Sequence, residues 1–195
     1  MTPPSPRRRA AAGALLAALA AAGATACGGD AADAPGAPAG DPAVAAAEGR
    51  RLPVDLYFPG GDGRLHPERR DLVAPEDPVE QARAVLAALL AGPEDVALLP
   101  VFPDGYRDVE VAAVLLGPDG VLLVDLHAPG HAAPPASGSR QELVTVYSLV
   151  NSLALNVPAA RRVALLWNGT QPQSFAGHLD TSHPLAPDPG LVARR

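Results

Sequence analysis

The chain has 195 residues, with 15 basic against 21 acidic side chains and a formal charge of −6. Every basic residue is arginine, and Cys27 is the single cysteine, so no disulfide can form within one chain. An acidic balance of this kind argues against nucleic acid, whose phosphates would repel it.

The first thirty residues set the compartment. Arg7, Arg8 and Arg9 precede an apolar run from Ala10 to Ala22, which leads to Ala24-Thr25-Ala26-Cys27. A positive start, a short apolar stretch and small residues before a cut form the layout of a secretory signal. The run is too short to span a bilayer, which takes roughly 20 residues. Cys27 at the cut points to a bacterial lipoprotein, lipidated on that residue and anchored on the extracytoplasmic face of the cell membrane. Ala24 and Ala26 also suit an ordinary signal peptidase, which would release a soluble protein with a free thiol. An exported lone thiol invites oxidation and cross-linking, and this favours the lipid. Without residues 1–26 the balance becomes 12 arginines against 21 acids, or −9, so anionic headgroups add nothing and the acyl chains must hold the protein. Residues 27–50 are Gly, Ala, Pro and Asp with almost no large apolar side chain, and read as a disordered tether.

The folded part is expected over residues 51–187, with 188–195 as a tail. Val54-Asp55-Leu56-Tyr57-Phe58 alternates as a strand and stops at the turn cluster Pro59-Gly60-Gly61-Asp62-Gly63, which a loop follows. That glycine cluster lacks the Lys-Ser or Lys-Thr pair of a phosphate loop. A first helix starts with Asp77 as cap, Pro78 in the first position and Glu80 three residues after the cap. Val79, Ala82, Leu86, Leu89 and Leu90 recur at helical spacing up to Gly92-Pro93. Val109–Leu116 and Val121–Leu126 form a hairpin around a type I turn at Gly117-Pro118-Asp119-Gly120. The loop from Ala128 to Gly138 is rich in Pro, Ala and Gly.

Ser139 and Glu142 read as a capping box for a second helix. Leu143, Val146, Tyr147, Val150, Leu153, Ala154 and Val157 trace its apolar stripe. Arg162–Trp167 is a further strand. Asn168-Gly169 predicts a hairpin, returning through an edge strand near Gln171–Phe175 in which Pro172 marks the edge. The expected class is α+β: a compact two-layer βαββαβ-like domain with two helices on one face of a small sheet.

Catalytic chemistry is weakly signalled. His178, Asp180 and His183 have ligand-like spacing, but lie among Pro184, Pro187 and Pro189 with no element to align them. His127 and His131 are separated by Pro129 and Gly130. No Gly-x-Ser-x-Gly elbow exists, and Asn168-Gly169-Thr170 reads as a turn rather than a glycosylation site. The residues therefore predict a non-enzyme without cofactor or metal. A secreted metal-dependent hydrolase using His178, Asp180 and His183 is the alternative. A peptidoglycan-fragment binder with a cleft beside Ala128–Gly138 is another.

Several segments together resemble the GerMN domain of sporulation and spore germination. They are Val54–Pro59 with Gly63-Arg64-Leu65, Leu89-Leu90-Ala91-Gly92-Pro93, and Gly120-Val121 with Val124-Asp125-Leu126. The most specific are Glu142-Leu143 through Val146-Tyr147-Ser148-Leu149-Val150-Asn151-Ser152-Leu153 and Phe175-Ala176-Gly177-His178-Leu179-Asp180, running on to Pro184-Leu185. The resemblance implies a βαββαβ-like domain of envelope lipoproteins, similar to the ring-building modules of secretion and sporulation assemblies and without known catalysis. Pro134-Pro135 and Asn156-Val157-Pro158 depart from the family pattern. It implies structural roles for Tyr147, Asn151, Gly177, His178 and Asp180, with His178 and Asp180 pinning the terminal segment. The expected partners are the membrane through lipid on Cys27, envelope proteins or cell-wall material, and further copies through the edge near Gln171.

Overall fold

The computed structural model describes residues 51–73 and 76–194. The signal, Cys27 and the tether lie outside them.

The order of elements is β1 (Arg51–Pro59), β2 (Leu65–Val73), α1 (Pro78–Leu90), β3 (Glu110–Leu116), β4 (Val121–His127), α2 (Ser139–Ala154) and β5 (Arg162–Trp167). The class is α+β. The strands divide into two sheets rather than one: β1-β2 antiparallel, and β3-β4-β5 with β3-β4 antiparallel and β4-β5 parallel.

β2 replaces the loop expected after the first turn. Its sequence, LHPERRDLV, carries a proline and four charged residues and has no apolar alternation. Tertiary contacts make it a strand. It pairs with β1 from Arg51–Val73 to Pro59–Leu65. Arg70 then donates to the carbonyls of Ala88 (3.2 Å) and Gly92 (2.7 Å) at the end of α1, and Glu68 accepts from the amides of Glu94 and Asp95 (both 2.9 Å).

α1 starts as its sequence suggests. Asp77 accepts from the amides of Val79 (2.8 Å) and Glu80 (3.0 Å), and Pro78 fills the first position, where a missing N–H costs nothing. The β3-β4 turn is closed by Gly120 N–H to Gly117 O at 3.1 Å. Gly120 has φ +77°, and a Cβ there would meet Ala159 O at 3.1 Å, so glycine is required twice over.

α2 is capped by Gly138, and Ser139 is its first residue, so the capping box does not form. Ten of its sixteen residues are buried, polar ones among them, so the helix is enclosed rather than exposing one polar face. Val146, Leu149, Val150 and Leu153 join Leu56 and Phe58 of β1, Val85, Leu86 and Leu89 of α1, and Leu122, Val124, Val163 and Leu165 of the larger sheet in one core.

The edge strand near Gln171 is absent. Beyond Trp167–Thr170, an isolated bridge, the chain closes on itself: Gln171 Nε2 donates to Thr181 O (2.9 Å), Thr181 N–H to Gln173 O (2.8 Å) and Thr181 Oγ1 to Pro172 O (2.8 Å). Pro172 offers no N–H for a ladder. The folded body also runs past residue 187: Ala193 N–H donates to Leu65 O at 2.8 Å, and Val192 bridges Leu65 in parallel. Among the described residues, no helix is long and apolar enough to cross a membrane.

Candidate functional site

The chemistry-bearing side chains cluster along α2. Glu142, in its first turn, is fully buried. Its carboxylate accepts from Ser174 Oγ (2.6 Å), the amide of Ala176 (2.7 Å), the amide of His178 (2.8 Å) and His178 Nδ1 (3.0 Å). Burial alone would raise its pKa. The hydrogen bonds from Ser174 and from the amides of Ala176, His178 and Leu179 outweigh that, and bring it from 4.5 to about 2. Glu142 is thus an ionised clamp that holds the segment 174–179. Gly177, at φ +94°, makes the turn that aims those amides inward.

Two turns on, Asn151 is also fully buried and grips the C-terminal segment. Its Nδ2 donates to Asp188 O (3.0 Å) and its Oδ1 accepts from Asp188 N–H (2.9 Å). Tyr147 is half-buried against the core, and its hydroxyl pKa is raised by burial and by the nearby Asp188 charge. A third polar row begins with Ser148 and Ser152, at i and i+4 on one face of α2, and continues with Asn156 just past the helix end. It meets the open backbone of β1. Ser148 donates to Tyr57 O, Ser152 Oγ accepts from Tyr57 N–H (2.9 Å), and Asn156 accepts from Asp55 N–H (3.0 Å) while donating to Asp55 O (2.7 Å). The helix thereby takes the place of a neighbouring strand.

The histidines occupy separate surroundings. His178 is bound to Glu142, and Asp180 is held below its usual pKa by the Ser182 hydroxyl (2.5 Å) and amide (2.9 Å). Asp180 is exposed and bonds within its own turn, so the pinning of the terminal segment belongs to His178 and Asn151. His127 Nδ1 meets Asn168 Oδ1 at 2.9 Å, and His131 stacks on Tyr106 at 4.0 Å. Among the described residues no three His, Cys, Asp or Glu side chains are grouped to hold a metal. The spacing of His178, Asp180 and His183 therefore does not become a centre.

Asn168, at φ +52°, joins three segments: its Oδ1 accepts from Ala128 N–H (3.1 Å) and its Nδ2 donates to His131 O (2.8 Å). Trp167 Nε1 also donates to His131 O (3.1 Å), and its ring packs edge-on against Phe102 (5.8 Å) and Phe175 (6.1 Å).

A cleft of about 650 Å³ lies beside residues 135–137. Leu99, Pro103, Pro135 and Phe175 supply apolar wall, and Gln141 and Thr145 on α2 supply polar groups.

The sequence reading missed Glu142, Ser148, Ser152, Asn156 and Asn168 in these roles. The four-residue spacing of Ser148, Ser152 and Asn156 was the available signal: a polar row running along α2 and past its end, once enclosed, needs partners.

A family model described as sporulation and spore germination, Germane, matches residues 55–173. The first GerMN domain of the sporulation protein GerM from Bacillus subtilis is 20% identical with a TM-score of 0.54, covering 69% of this chain and 97% of that one. The tandem GerMN domains of the same protein give 16% identity and a TM-score of 0.52, over 70% of this chain and 46% of that one. A Clostridium perfringens protein described as a lipoprotein gives 18% identity, 70% and 87% coverage and a TM-score of 0.49, which adds nothing to the assignment. At these identities the likeness establishes the fold alone. Among curated proteins none matches the chain.

Proposed function

Because the chain belongs to the Germane family of sporulation and spore-germination domains, we propose that it is a lipid-anchored, extracytoplasmic interaction module that organises envelope partners without catalysing a reaction. One observation carries this reading. The side chains that could do chemistry are engaged in holding backbone: Glu142 on residues 174–178, Asn151 on Asp188, and Ser148, Ser152 and Asn156 on β1. A general acid or base needs a pKa near the working pH and access to substrate. Glu142, buried and at about 2, has neither.

The anchor rests on Arg7–Arg9, the apolar run Ala10–Ala22 and Cys27. Several acyl chains on one residue hold firmly, whereas a single chain holds only marginally. Radiolabelled palmitate should enter the wild-type chain in cells and not Cys27→Ser. Label in both, or in neither, refutes the anchor. Crosslinking in intact cells followed by mass spectrometry should recover one dominant envelope protein. A profile identical to that of an unrelated lipoprotein refutes the interaction role.

The cleft beside residues 135–137 supports a second reading, in which the partner is a peptidoglycan fragment. Purified muropeptides titrated calorimetrically should give saturable heat that Gln141→Ala diminishes. Absence of heat removes this reading and leaves the first intact.

A further inference from the structure

The connection between α1 and β3, residues 91–109, holds one short 3-10 turn at Asp104–Tyr106 and no other element. Connections of about 4–6 residues are the norm, and long irregular ones usually carry function. This one is tied to the body. Leu99 N–H donates to Pro59 O at 2.8 Å, and Val101 and Phe102 are buried in the core. Its surface is partly apolar. Val96 is fully exposed and Leu99 is 45% exposed, two of the five large apolar side chains that the described residues leave open. Open apolar groups beside a cleft mark a binding surface.

Pro100–Asp104 forms a ridge between two clefts. Pro100, Val101 and Asp104 line both the cleft of about 650 Å³ described above and a second of about 460 Å³. The two differ in chemistry. The larger has the apolar wall of Leu99, Pro103, Pro135 and Phe175. The smaller is lined by Phe102, Tyr106 and the end of α1, together with Asp104. An aromatic ring beside a carboxylate suits a guanidinium or an ammonium. Asp104 is open to one. Arg107 binds it through Oδ1 alone (2.6 and 3.2 Å), and with the two side chains 77% and 81% exposed the pair is weak.

Charge decides what fits. Over residues 91–110 the exposed acids are Glu94, Asp95, Asp104, Asp108 and Glu110, against Arg107 as the one base. Arg70 is engaged on the carbonyls of Ala88 and Gly92, and Arg140 packs on Gly63 at the β1-β2 turn. Phosphate-bearing ligands and anionic headgroups are repelled from such a face.

We propose that this ridge docks an extended basic segment of a partner protein, with an apolar side chain in the larger cleft and a lysine or arginine in the smaller, against Asp104 and Tyr106. This rests on the interaction reading and gives its partner a chemistry. Side chains two apart on an extended chain point the same way, so one segment crossing the ridge fills both clefts. The acids along the ridge speed encounter and turn away acidic competitors.

The test places the photo-crosslinking residue benzoylphenylalanine at Gly105 of the full chain in intact cells. A Cβ there meets nothing within 4 Å, so the position is sterically free. Val73, 61% exposed at the end of β2, is the comparison position. Irradiation should give an envelope-protein adduct at 105 and not at 73, and the captured peptide should carry Lys or Arg beside the crosslinked residue. Asp104→Arg should lower the yield several-fold. Asp71→Arg, at an exposed acid of β2, makes the same change in net charge and should leave the yield unaltered. Equal effects of the two variants, equal adducts at 105 and 73, or capture of an acidic peptide or a glycan strand overturns the proposal. If a general crosslinker recovers one dominant partner while position 105 captures nothing, this surface falls and the interaction role stands. If neither recovers a partner, both fall.

Discussion

Glu142→Gln isolates the contribution of the buried clamp. The side chain keeps its size and one acceptor oxygen, but places an NH₂ where the carboxylate accepted from the His178 amide (2.8 Å) and Nδ1 (3.0 Å) or from Ser174 (2.6 Å) and Ala176 (2.7 Å). The magnitude follows from linkage. A carboxyl held at about 2 in the fold and at 4.5 without it binds protons more weakly when folded. At 1.36 kcal/mol per pKa unit this is about 3 kcal/mol of stability. It is complete above pH 4.5 and is lost as the pH falls through about 2. For a domain of this size the glutamine variant should melt about 10 °C lower at neutral pH. Thermal denaturation by circular dichroism at pH 7, 4 and 2.5 reads both quantities. The wild-type advantage should be full at pH 7 and shrink steadily below 4.5, because the glutamine carries no proton linkage. Equal melting temperatures at pH 7, or a gap that does not change with pH, would refute the clamp.

Arg70→Leu removes the bonds to Ala88 and Gly92 and leaves Glu68, whose side chain is 12% exposed, without its cation. A loss of about 2–3 kcal/mol in urea unfolding is expected, partly recovered in the double variant with Glu68→Gln. Asn156→Ala strips both bonds from Asp55. The Asp55 amide should exchange hydrogen faster by NMR, with stability lower by about 1–3 kcal/mol; unchanged exchange would deny the helix its place beside β1. Asn168→Ala should cost about 1 kcal/mol more than Asn168→Gly, because only glycine takes positive φ without strain. Identical melting of the two would mean that the left-handed conformation carries no strain.

Legibility followed the locality of the cause. α1 announced itself through Asp77, Pro78 and Glu80, which act within one turn. The β3-β4 hairpin did so through Pro118 and Gly120. β2 was illegible because its strand state comes from β1 across a turn and from Arg70 reaching α1, residues 18 and 22 positions away. Ser139 and Glu142 fit a local rule that the fold does not use. Gly138 took the cap without any side chain, and the carboxylate turned to amides 34 and 36 residues on. Asn168 was read correctly as a turn residue through Asn-Gly, yet its grip on Ala128 and His131 depends on β4 and β5 lying side by side.

A sheet margin left open is a template for further strands. If both margins were available, each added copy would present another, and growth would run on into fibres. Here Ser148, Ser152 and Asn156 cover the β1 margin of one sheet, and Leu185 covers the β5 margin of the other. With these two margins closed, neither sheet can be extended from both sides, and the route to an endless fibre is cut within each molecule.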